Sequence, residues 1–257
     1  MAVIEPLLLA CARVSTFSGS RLLTAASGFL FERGERLFFV TSRHVLVDAP
    51  SGHHPDRIEI PLHTDTVDLT RAAKVSVPLY SQGKSRWRQG QDSGGDIDVA
   101  AIELDRAALP KPVELRAFTL EHLQGPLEEI GIGHPLLVVG FPLGFYDTVH
   151  NLPVARQAAV ASAFGVRFQE QGYFLTDART HRGTSGAPVV MHDPAGDPRL
   201  PWKLLGIHAA RMDMRTREEG VDESLGLNSA WYADILRTLT DDVKPDPGCA
   251  AVATPPR

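Results

Sequence analysis

The sequence predicts a mostly β protein, and three observations support that prediction. Short apolar runs rich in Val, Ile, Leu and Phe recur between turn residues along the chain, a pattern typical of antiparallel strands. These runs do not alternate with long helical segments, so a parallel sheet with crossover helices is not expected. The chain has 257 residues, of which 43% are hydrophobic. It is therefore long enough to bury one large core or two small ones.

The predicted strands follow one another along most of the chain. A first buried strand is expected within residues 1–14, and residues 28–40 read as a hairpin with its turn at 32–35. The basic stretch at 84–88 is predicted to be an exposed loop. Further strands are predicted at residues 58–62, 73–79, 99–104, 135–139, 156–162, 173–176, 188–191 and 204–209.

The chain is expected to divide into two β-rich halves. The first half covers residues 1–115, a linker covers 116–127, and the second half covers 128–241. In the second half, Asn228 is predicted to cap a C-terminal helix. The helix would carry its apolar residues on one side: Trp231, Ile235, Leu236 and Leu239. Residues 242–257 are rich in Pro, Ala and Asp and are predicted to be disordered.

Composition argues against several classes of partner. The net charge is −5, from 26 basic and 31 acidic residues, so no nucleic-acid partner is expected. No apolar segment approaches the length of a membrane span, and the apolar start at residues 6–10 lacks a basic leader. The two cysteines, Cys11 and Cys249, allow one disulfide at most, and none is expected. The sequence therefore predicts a cytoplasmic protein without nucleic-acid or membrane partners.

Three segments supply the groups needed for covalent catalysis. Ser185 lies in the glycine-bracketed turn GTSGAP, His44 ends the segment FFVTSRH, and Asp98 precedes the apolar run VAAI. A serine hydroxyl is a weak nucleophile at neutral pH, so it needs a base whose tautomer is fixed. We therefore predict that Ser185 is the nucleophile, His44 the base and Asp98 the carboxylate that orients it. Gly183 allows the turn to bend, so its N–H and that of Ser185 are predicted to form an oxyanion hole.

These motifs resemble those of bacterial trypsin-like serine proteases of the chymotrypsin fold. Residues 41–45 (TSRHV) resemble the family's T-x-x-H-V, and residues 98–102 (DVAAI) resemble its D-[IL]-A-x-[LI]. Residues 176–178 (TDA) followed by 183–188 (GTSGAP) resemble the HtrA-type pattern around the nucleophile. Residues 205–208 (LGIH) resemble the strand beside the primary specificity pocket. The order His, Asp, Ser differs from that of subtilisin-type enzymes and of α/β-hydrolases.

The resemblance covers roughly residues 10 to 240. It implies an all-β fold of two six-stranded antiparallel Greek-key barrels, with the active site in the cleft between them and a C-terminal helix. Asp96 competes with Asp98, because residues two apart on a strand face the same side; Asp98 fits the family pattern better. Thr184 stands where secreted trypsins carry an aspartate, so activation by a freed N-terminal amine is not expected.

The resemblance also bears on the residue that precedes the cleaved bond. Arg179, six positions before Ser185, stands where trypsins carry an acid, so cleavage after basic residues is not expected. Thr180 and His208 resemble the pocket residues of staphylococcal glutamyl endopeptidase, and a Gly-x-His also lines the glutamine pocket of picornaviral proteases. Arg211 would add positive potential. These residues imply a preference for Glu, Gln or Asp; alternatively, His208 is a satisfied core histidine.

Residues 140–147 (GFPLGFYD) predict a strand that ends in a tight loop, which either borders the pocket or shapes the second barrel. The leading hypothesis is a serine endopeptidase that acts on a protein or peptide substrate and is gated by a regulatory protein partner. The alternatives are a non-catalytic binding or scaffold module and an esterase. No cofactor and no metal are expected, because the histidines at 53–54 and 63 read as residues of solvated loops.

Overall fold

The computed structural model describes residues 4–125, 130–215 and 222–242. Strands are the main regular element of these residues, and the α-helices among them are no longer than five residues, so the predicted all-β class is confirmed. Apart from residue 242, the predicted disordered tail lies outside the described residues, as does Cys249; Cys11 is buried with a free thiol. In the described part of the chain, no helix is long and apolar enough to cross a bilayer.

Seven strands of the N-terminal half form one antiparallel sheet, the first sheet, in the order β5-β4-β1-β2-β3-β9-β8. A short helix, α1 (Pro6–Ala10), precedes it, and α2 (Arg43–Leu46) follows β3. The strands are β1 (Cys11–Ser18), β2 (Arg21–Arg33), β3 (Arg36–Thr41), β4 (Arg57–His63), β5 (Ala72–Pro78), β8 (Trp87–Asp92) and β9 (Gly95–Leu104), with β6 (Tyr80–Ser81) and β7 (Lys84–Ser85) forming a separate hairpin.

The basic stretch at 84–88 is not the exposed loop that its charge predicted. It contains β7 and the start of β8, and Trp87 is buried there. The Trp87 indole packs edge-on against Tyr80, with ring centroids 5.4 Å apart. Burial of this one large ring outweighs the preference of its charged neighbours for solvent, since the neighbours keep their charges at the surface.

The C-terminal half contains a closed six-stranded barrel, the second barrel, as predicted for this half. Its order is β10-β11-β12-β15-β14-β13. The strands are β10 (Pro135–Gly140), β11 (Val154–Val160), β12 (Tyr173–Asp177), β13 (Pro188–His192), β14 (Trp202–Arg215) and β15 (Asp222–Tyr232), and α3 (Ile235–Leu239) follows. Strands of the first sheet end at Leu104 and those of the barrel begin at Pro135; the predicted division at 116–127 stays a prediction.

Asn228 does not cap the C-terminal helix, which corrects the prediction from its sequence context. It lies in β15, opposite Thr176 of β12 and Arg211 of β14. Two neighbouring strands satisfy its backbone groups, and this pairing outweighs the local tendency of asparagine to begin a helix. The helix begins later, at Ile235, after Asp234, which makes no side-chain capping bond.

A continuous apolar cluster, the interface core, lies between the first sheet and the second barrel. It joins Phe29 and Phe38 of the sheet to Leu204 and Trp231 of the barrel through Phe118 of the connecting segment. The Phe29 and Phe118 rings meet edge to face, with centroids 5.5 Å apart. Because protein interiors are packed nearly as densely as crystals, this core holds the two units in one relative position. The groove between the first sheet and the second barrel therefore keeps a defined shape.

Candidate active site

His44 is presented at the surface by a single helical turn. The buried strand β3 ends at Thr41, and α2 starts two residues later. Val45 and Leu46 are buried and anchor the turn in the core of the first sheet. The His44 side chain, which points away from these anchors, is 39% exposed. The local fold thus places the imidazole at the edge of the groove, where it can contact a ligand.

Asp98 holds His44 through two hydrogen bonds, one to the imidazole and one to the backbone. The pairing of Thr41 with Ala100 places the start of β9 beside α2. Asp98 Oδ2 lies 2.7 Å from His44 Nδ1, and Asp98 Oδ1 accepts the His44 backbone N–H at 2.9 Å. A proton on Nδ1 leaves the Nε2 lone pair available as a base.

The competing carboxylate, Asp96, faces other groups. It forms an ion pair with Arg43 at 3.3 Å and accepts a hydrogen bond from the Gln91 side chain at 2.6 Å. Both contacts are near the surface, where an ion pair contributes little. The structure therefore brings Asp98, and not Asp96, to the imidazole.

The pKa of His44 is raised above its ordinary value of 6.5. Desolvation by burial lowers the pKa, but the hydrogen bond and the negative charge of Asp98 raise it by more. The imidazole is therefore a stronger base than a histidine in water. It also has to lose a proton before it can act, so low pH suppresses its function as a base.

Ser185 sits in a tight turn, residues 183–186, which we call the nucleophile turn. Gly183 and Gly186 adopt positive φ angles of +90° and +84°. A Cβ on Gly186 would lie 2.3 Å from both the Ser27 carbonyl oxygen and Thr41 Oγ1. Glycine is therefore required at position 186 by conformation and by space.

The backbone donors of the nucleophile turn divide into two sets. The N–H groups of Thr184 and Gly186 donate to the carbonyls of His181 and His208, at 3.2 and 2.8 Å. Among the described residues, the N–H groups of Gly183 and Ser185 have no acceptor. These are the two donors predicted for an oxyanion hole, and both remain available to a ligand.

The Ser185 hydroxyl donates to the Ala209 carbonyl at 3.1 Å. Within the described part of the chain, no hydrogen bond joins it to His44. Both side chains line one cleft of about 450 Å³, bounded on its far side by residues 23–26 of β2. A serine hydroxyl changes partner by rotation about its Cα–Cβ bond, and catalytic hydrogen bonds often tighten only when substrate binds.

Comparison with known families agrees with this geometry. The family model described as the trypsin-like peptidase domain matches residues 26–196, a span that contains the histidine, the aspartate and the serine. The chain belongs to the trypsin-like peptidase family. No curated protein shows significant sequence similarity to it.

Solved structures share the fold of this trypsin-like peptidase. The HtrA-type protease AlgW, solved with a tripeptide, has a TM-score of 0.55 and 16% identity, over 91% of this chain and 59% of that one. The serine endoprotease from Yersinia pestis has a TM-score of 0.54 and 15% identity, over 91% of this chain and 62% of that one. The peptidase thus spans about three fifths of the length of these structures.

Behind the nucleophile turn of this peptidase lie three buried polar residues, Thr180, His208 and Asn228, which we call the buried polar cluster. His208 is 2% exposed, and within the described part of the chain its Nδ1 has no hydrogen-bond partner. Desolvation, and the positive charge of His44 when protonated, lower the pKa of His208 to about 4. At neutral pH its imidazole is therefore uncharged. It is buried, but it is not the satisfied core histidine of the alternative prediction.

Asn228, which the sequence analysis did not identify as a site residue, is hydrogen-bonded to Thr180 within the buried polar cluster. Its Nδ2 donates to the Ala178 and Thr176 carbonyls at 2.7 and 3.4 Å, and its Oδ1 accepts the Thr180 hydroxyl. It also lies on the same face of β14–β15 as His208, because His208 pairs with Ala230, two residues along β15. Other polar residues lie in the same strand, Ser229 among them, so the sequence carries no signal that marks Asn228.

The role of Arg211 in substrate binding stays a prediction. Arg211 lies on β14 directly opposite Asn228, and its side chain is exposed. Arg179 is also exposed and lines a different groove, together with His134 and Trp202. The absence of an acid at position 179 therefore says little about substrate preference, because this side chain lines that other groove.

The loop after β10 borders the nucleophile turn. Of the two alternatives for residues 140–147, this contact favours a loop beside the site over one that only shapes the second barrel. The Leu143 N–H donates to the Arg182 carbonyl at 2.5 Å. A Cβ on Gly183 would lie 2.6 Å from the Phe141 carbonyl oxygen. The loop therefore constrains the peptide that precedes the Gly183 N–H.

Two histidines that the sequence placed in solvated loops, His53 and His63, make structural contacts. His53 Nε2 lies 2.9 Å from the Val45 carbonyl, and His63 Nε2 lies 2.6 Å from the His150 carbonyl. His63 is buried, although its sequence context predicted a solvated loop. It pairs with Ala72 at the end of β4, and this pairing brings it under the loop that carries His150. Among the described residues, no group of three His, Cys, Asp or Glu side chains is arranged to hold a metal.

Replacing Gly186 with alanine is expected to destabilise the fold by at least about 2 kcal/mol. The new Cβ would overlap a backbone oxygen, and the residue would keep a left-handed φ of +84°. Urea unfolding measures the loss. The matched control is Gly131→Ala, because a Cβ on Gly131 meets nothing within 4 Å. Equal midpoints for Gly186→Ala and the wild type would contradict the crowding described here.

Proposed function

We propose that this trypsin-like peptidase is a serine endopeptidase, with Ser185 as nucleophile, His44 as general base and Asp98 as the group that orients the base. One observation carries the proposal: the doubly hydrogen-bonded His44–Asp98 pair faces the cleft that Ser185 also lines. A partly buried hydrogen-bonded pair of this kind has little structural purpose at a groove edge. It is, however, the arrangement that a weak hydroxyl nucleophile requires.

The proposed reaction proceeds in two stages. Ser185 Oγ attacks the scissile carbonyl carbon while its proton passes to His44 Nε2, and the oxyanion is bound by the Gly183 and Ser185 N–H groups. The tetrahedral intermediate then collapses, His44 returns the proton to the leaving amine, and an acyl-enzyme remains. Water, deprotonated by His44, attacks the ester and releases the acid and Ser185. Each oxyanion donor contributes about 10²- to 10³-fold to such a rate.

Labelling with a fluorophosphonate tests the proposed function. The wild type should form an adduct, and peptide mapping by mass spectrometry should locate it on Ser185. Heat-unfolded protein is the control, because it retains Ser185 but no longer holds His44 beside it. A non-catalytic scaffold would show no adduct in either form. An esterase would be labelled but would not turn over a peptide library.

We also propose that the enzyme cleaves after Gln, Glu or Asp, with Gln preferred. Three carbonyls hold the Asn228 amide, so its Oδ1 faces Thr180 and takes the Thr180 proton. The Thr180 oxygen then offers only acceptor lone pairs to a substrate. An amide side chain can donate to that oxygen and accept from the His208 ring. A carboxylate has no proton to donate, and it would bring a charge to an uncharged site.

Peptides that differ only in the residue before the cut test this preference. Turnover after Gln should exceed that after Glu by about tenfold at pH 8, because an unpaired polar group in such a site is strongly disfavoured. The ratio should fall as the pH falls, since protonation supplies the missing proton. In His208→Leu the preference should vanish while fluorophosphonate labelling persists. Best turnover after Arg or Phe would contradict the proposal.

A regulatory protein partner and a cytoplasmic location stay predictions, as does the lack of nucleic-acid and membrane partners. The two available oxyanion donors support activity without a partner. We therefore expect the purified chain alone to be labelled by fluorophosphonate. Labelling that appears only after a lysate fraction is added would support gating.

A further inference from the structure

Ser27 is a fully buried serine of β2 that contacts the nucleophile turn from the opposite unit. Its Oγ donates to the Gly183 carbonyl at 2.7 Å and accepts the Phe141 N–H at 2.9 Å. Its own N–H donates to the Ser185 carbonyl at 3.0 Å. One residue of the first sheet therefore holds two carbonyls of a turn that belongs to the second barrel.

The same residue is tied to the segment that carries the base. The Ser27 carbonyl accepts the Thr41 hydroxyl at 2.7 Å. Thr41 is the last residue of β3, and the chain continues directly into the turn that presents His44. Ser27 thus links the base and the nucleophile across the cleft through hydrogen bonds that are all buried or partly buried.

The position of Gly183 shows what these contacts control. The Gly183 N–H is part of the Arg182–Gly183 peptide, whose carbonyl accepts the Leu143 N–H at 2.5 Å. The Gly183 carbonyl is part of the Gly183–Thr184 peptide, and it accepts the Ser27 hydroxyl. Glycine resists rotation less than any other residue. The direction of the Gly183 N–H therefore depends on both contacts, and Ser27 supplies one of them.

We propose that Ser27 is a positioning residue that keeps the Gly183 N–H directed at the oxyanion. This inference rests on the proposed function, because it concerns the oxyanion hole of that same site. Ser27 is not among the residues that line the cleft, so it acts through the residues that it holds and not through contact with substrate. In its absence the Gly183–Thr184 peptide would lose its hydroxyl partner and gain freedom to rotate, so the donor would be misaligned for part of the time.

The test is Ser27→Ala, assayed with a good peptide substrate. We expect kcat to fall about 10- to 100-fold, at most the effect of losing one oxyanion donor, with KM within about twofold. The Ki of a peptide boronate, whose oxygen occupies the oxyanion position, should rise in parallel with the loss of kcat/KM. A serine with a purely structural role would lower the unfolding midpoint and leave kcat and the boronate Ki unchanged.

Thr16→Val is the matched control. Thr16 is another fully buried residue of the first sheet, and among the described residues its hydroxyl bonds only to the Thr24 backbone, at 3.2 and 3.4 Å. Its loss should change stability but not kcat. Ser27→Cys is a second variant of nearly the same shape that keeps a weak donor. It should fold if Ser27→Ala does not, and its kcat should lie between those of the wild type and Ser27→Ala.

A crystal structure of Ser27→Ala, or of Ser27→Cys, gives a readout that does not need activity. Displacement of the Arg182–Gly183 peptide supports the inference, and an unmoved peptide overturns it. If the wild type is active and both Ser27 variants have its kcat, the inference is also overturned while the proposed function stays intact. A wild type that is neither labelled nor active would instead sink the proposed function.

Discussion

Replacing Ser185 with alanine is expected to lower kcat about 10⁶-fold and to abolish fluorophosphonate labelling. The change removes the only atom that forms the acyl bond. It leaves the oxyanion donors in place, because both are backbone N–H groups. The cleft should therefore still bind peptide, and the dissociation constant of a substrate for Ser185→Ala should match the KM of a slow wild-type substrate within a few fold. Single-turnover kinetics and titration calorimetry measure the two quantities.

Ser51→Ala is the matched control for this prediction. Ser51 lines the same cleft, but its hydroxyl donates to Asp48 and makes no contact with His44. Its kcat should stay within about twofold of the wild type, as expected for an exposed hydroxyl. Turnover by Ser185→Ala above about one per cent of the wild type would show that another nucleophile acts, since loss of a triad serine leaves far less.

Replacing Asp98 with asparagine is expected to lower kcat about 10⁴-fold. The amide group can donate a proton to His44 Nδ1, and the ring would then carry its own proton on Nε2, where a base is needed. The negative charge that stabilises the imidazolium would also be lost. The KM should change little, because Asp98 lies behind the imidazole and makes its contacts with His44.

The pH profile of Asp98→Asn carries an independent prediction. In the wild type, Asp98 raises the pKa of His44. Only the neutral imidazole can accept a proton, so kcat/KM should fall as the pH drops through that raised pKa. Without the carboxylate the pKa of His44 falls, and the acid limb should move to lower pH. If the acid limb of Asp98→Asn stays at the wild-type pH, a group other than His44 controls it.

Asp96→Asn separates the two candidate carboxylates. It removes an ion pair with Arg43 whose carboxylate is 44% exposed, so stability should change by less than about 1 kcal/mol. Its kcat and acid limb should match those of the wild type. If Asp96→Asn instead behaved like the loss of a triad residue, the assignment of Asp98 would be wrong.

The sequence alone predicted the features that depend on local pattern. Alternating apolar runs and turn residues predicted strands, because a half-buried strand needs that period wherever it packs. The glycines beside Ser185 and the strand that ends before His44 could be recognised for the same reason, since a few neighbouring residues define each motif. The family resemblance then supplied the two-unit architecture that no local pattern contains.

The features that the sequence did not predict depend on which strands become neighbours. Asn228 has the local character of a helix cap, but β12 and β14 pair with it from both sides. Trp87 lies in a charged stretch, but a ring of Tyr80 covers it. In both cases contacts with other strands outweigh a local preference worth no more than about 1 kcal/mol.

By itself, then, the sequence determined the fold class and predicted a nucleophile and a base, because both are written in segments of a few residues. The tertiary structure brought Asp98 rather than Asp96 to His44, brought Asn228 to Thr180 and placed Ser27 against a turn 156 residues away. The physical reason is that a hydrogen bond acts over about 3 Å. Groups far apart in the chain reach that distance only through the packing of the two units against each other.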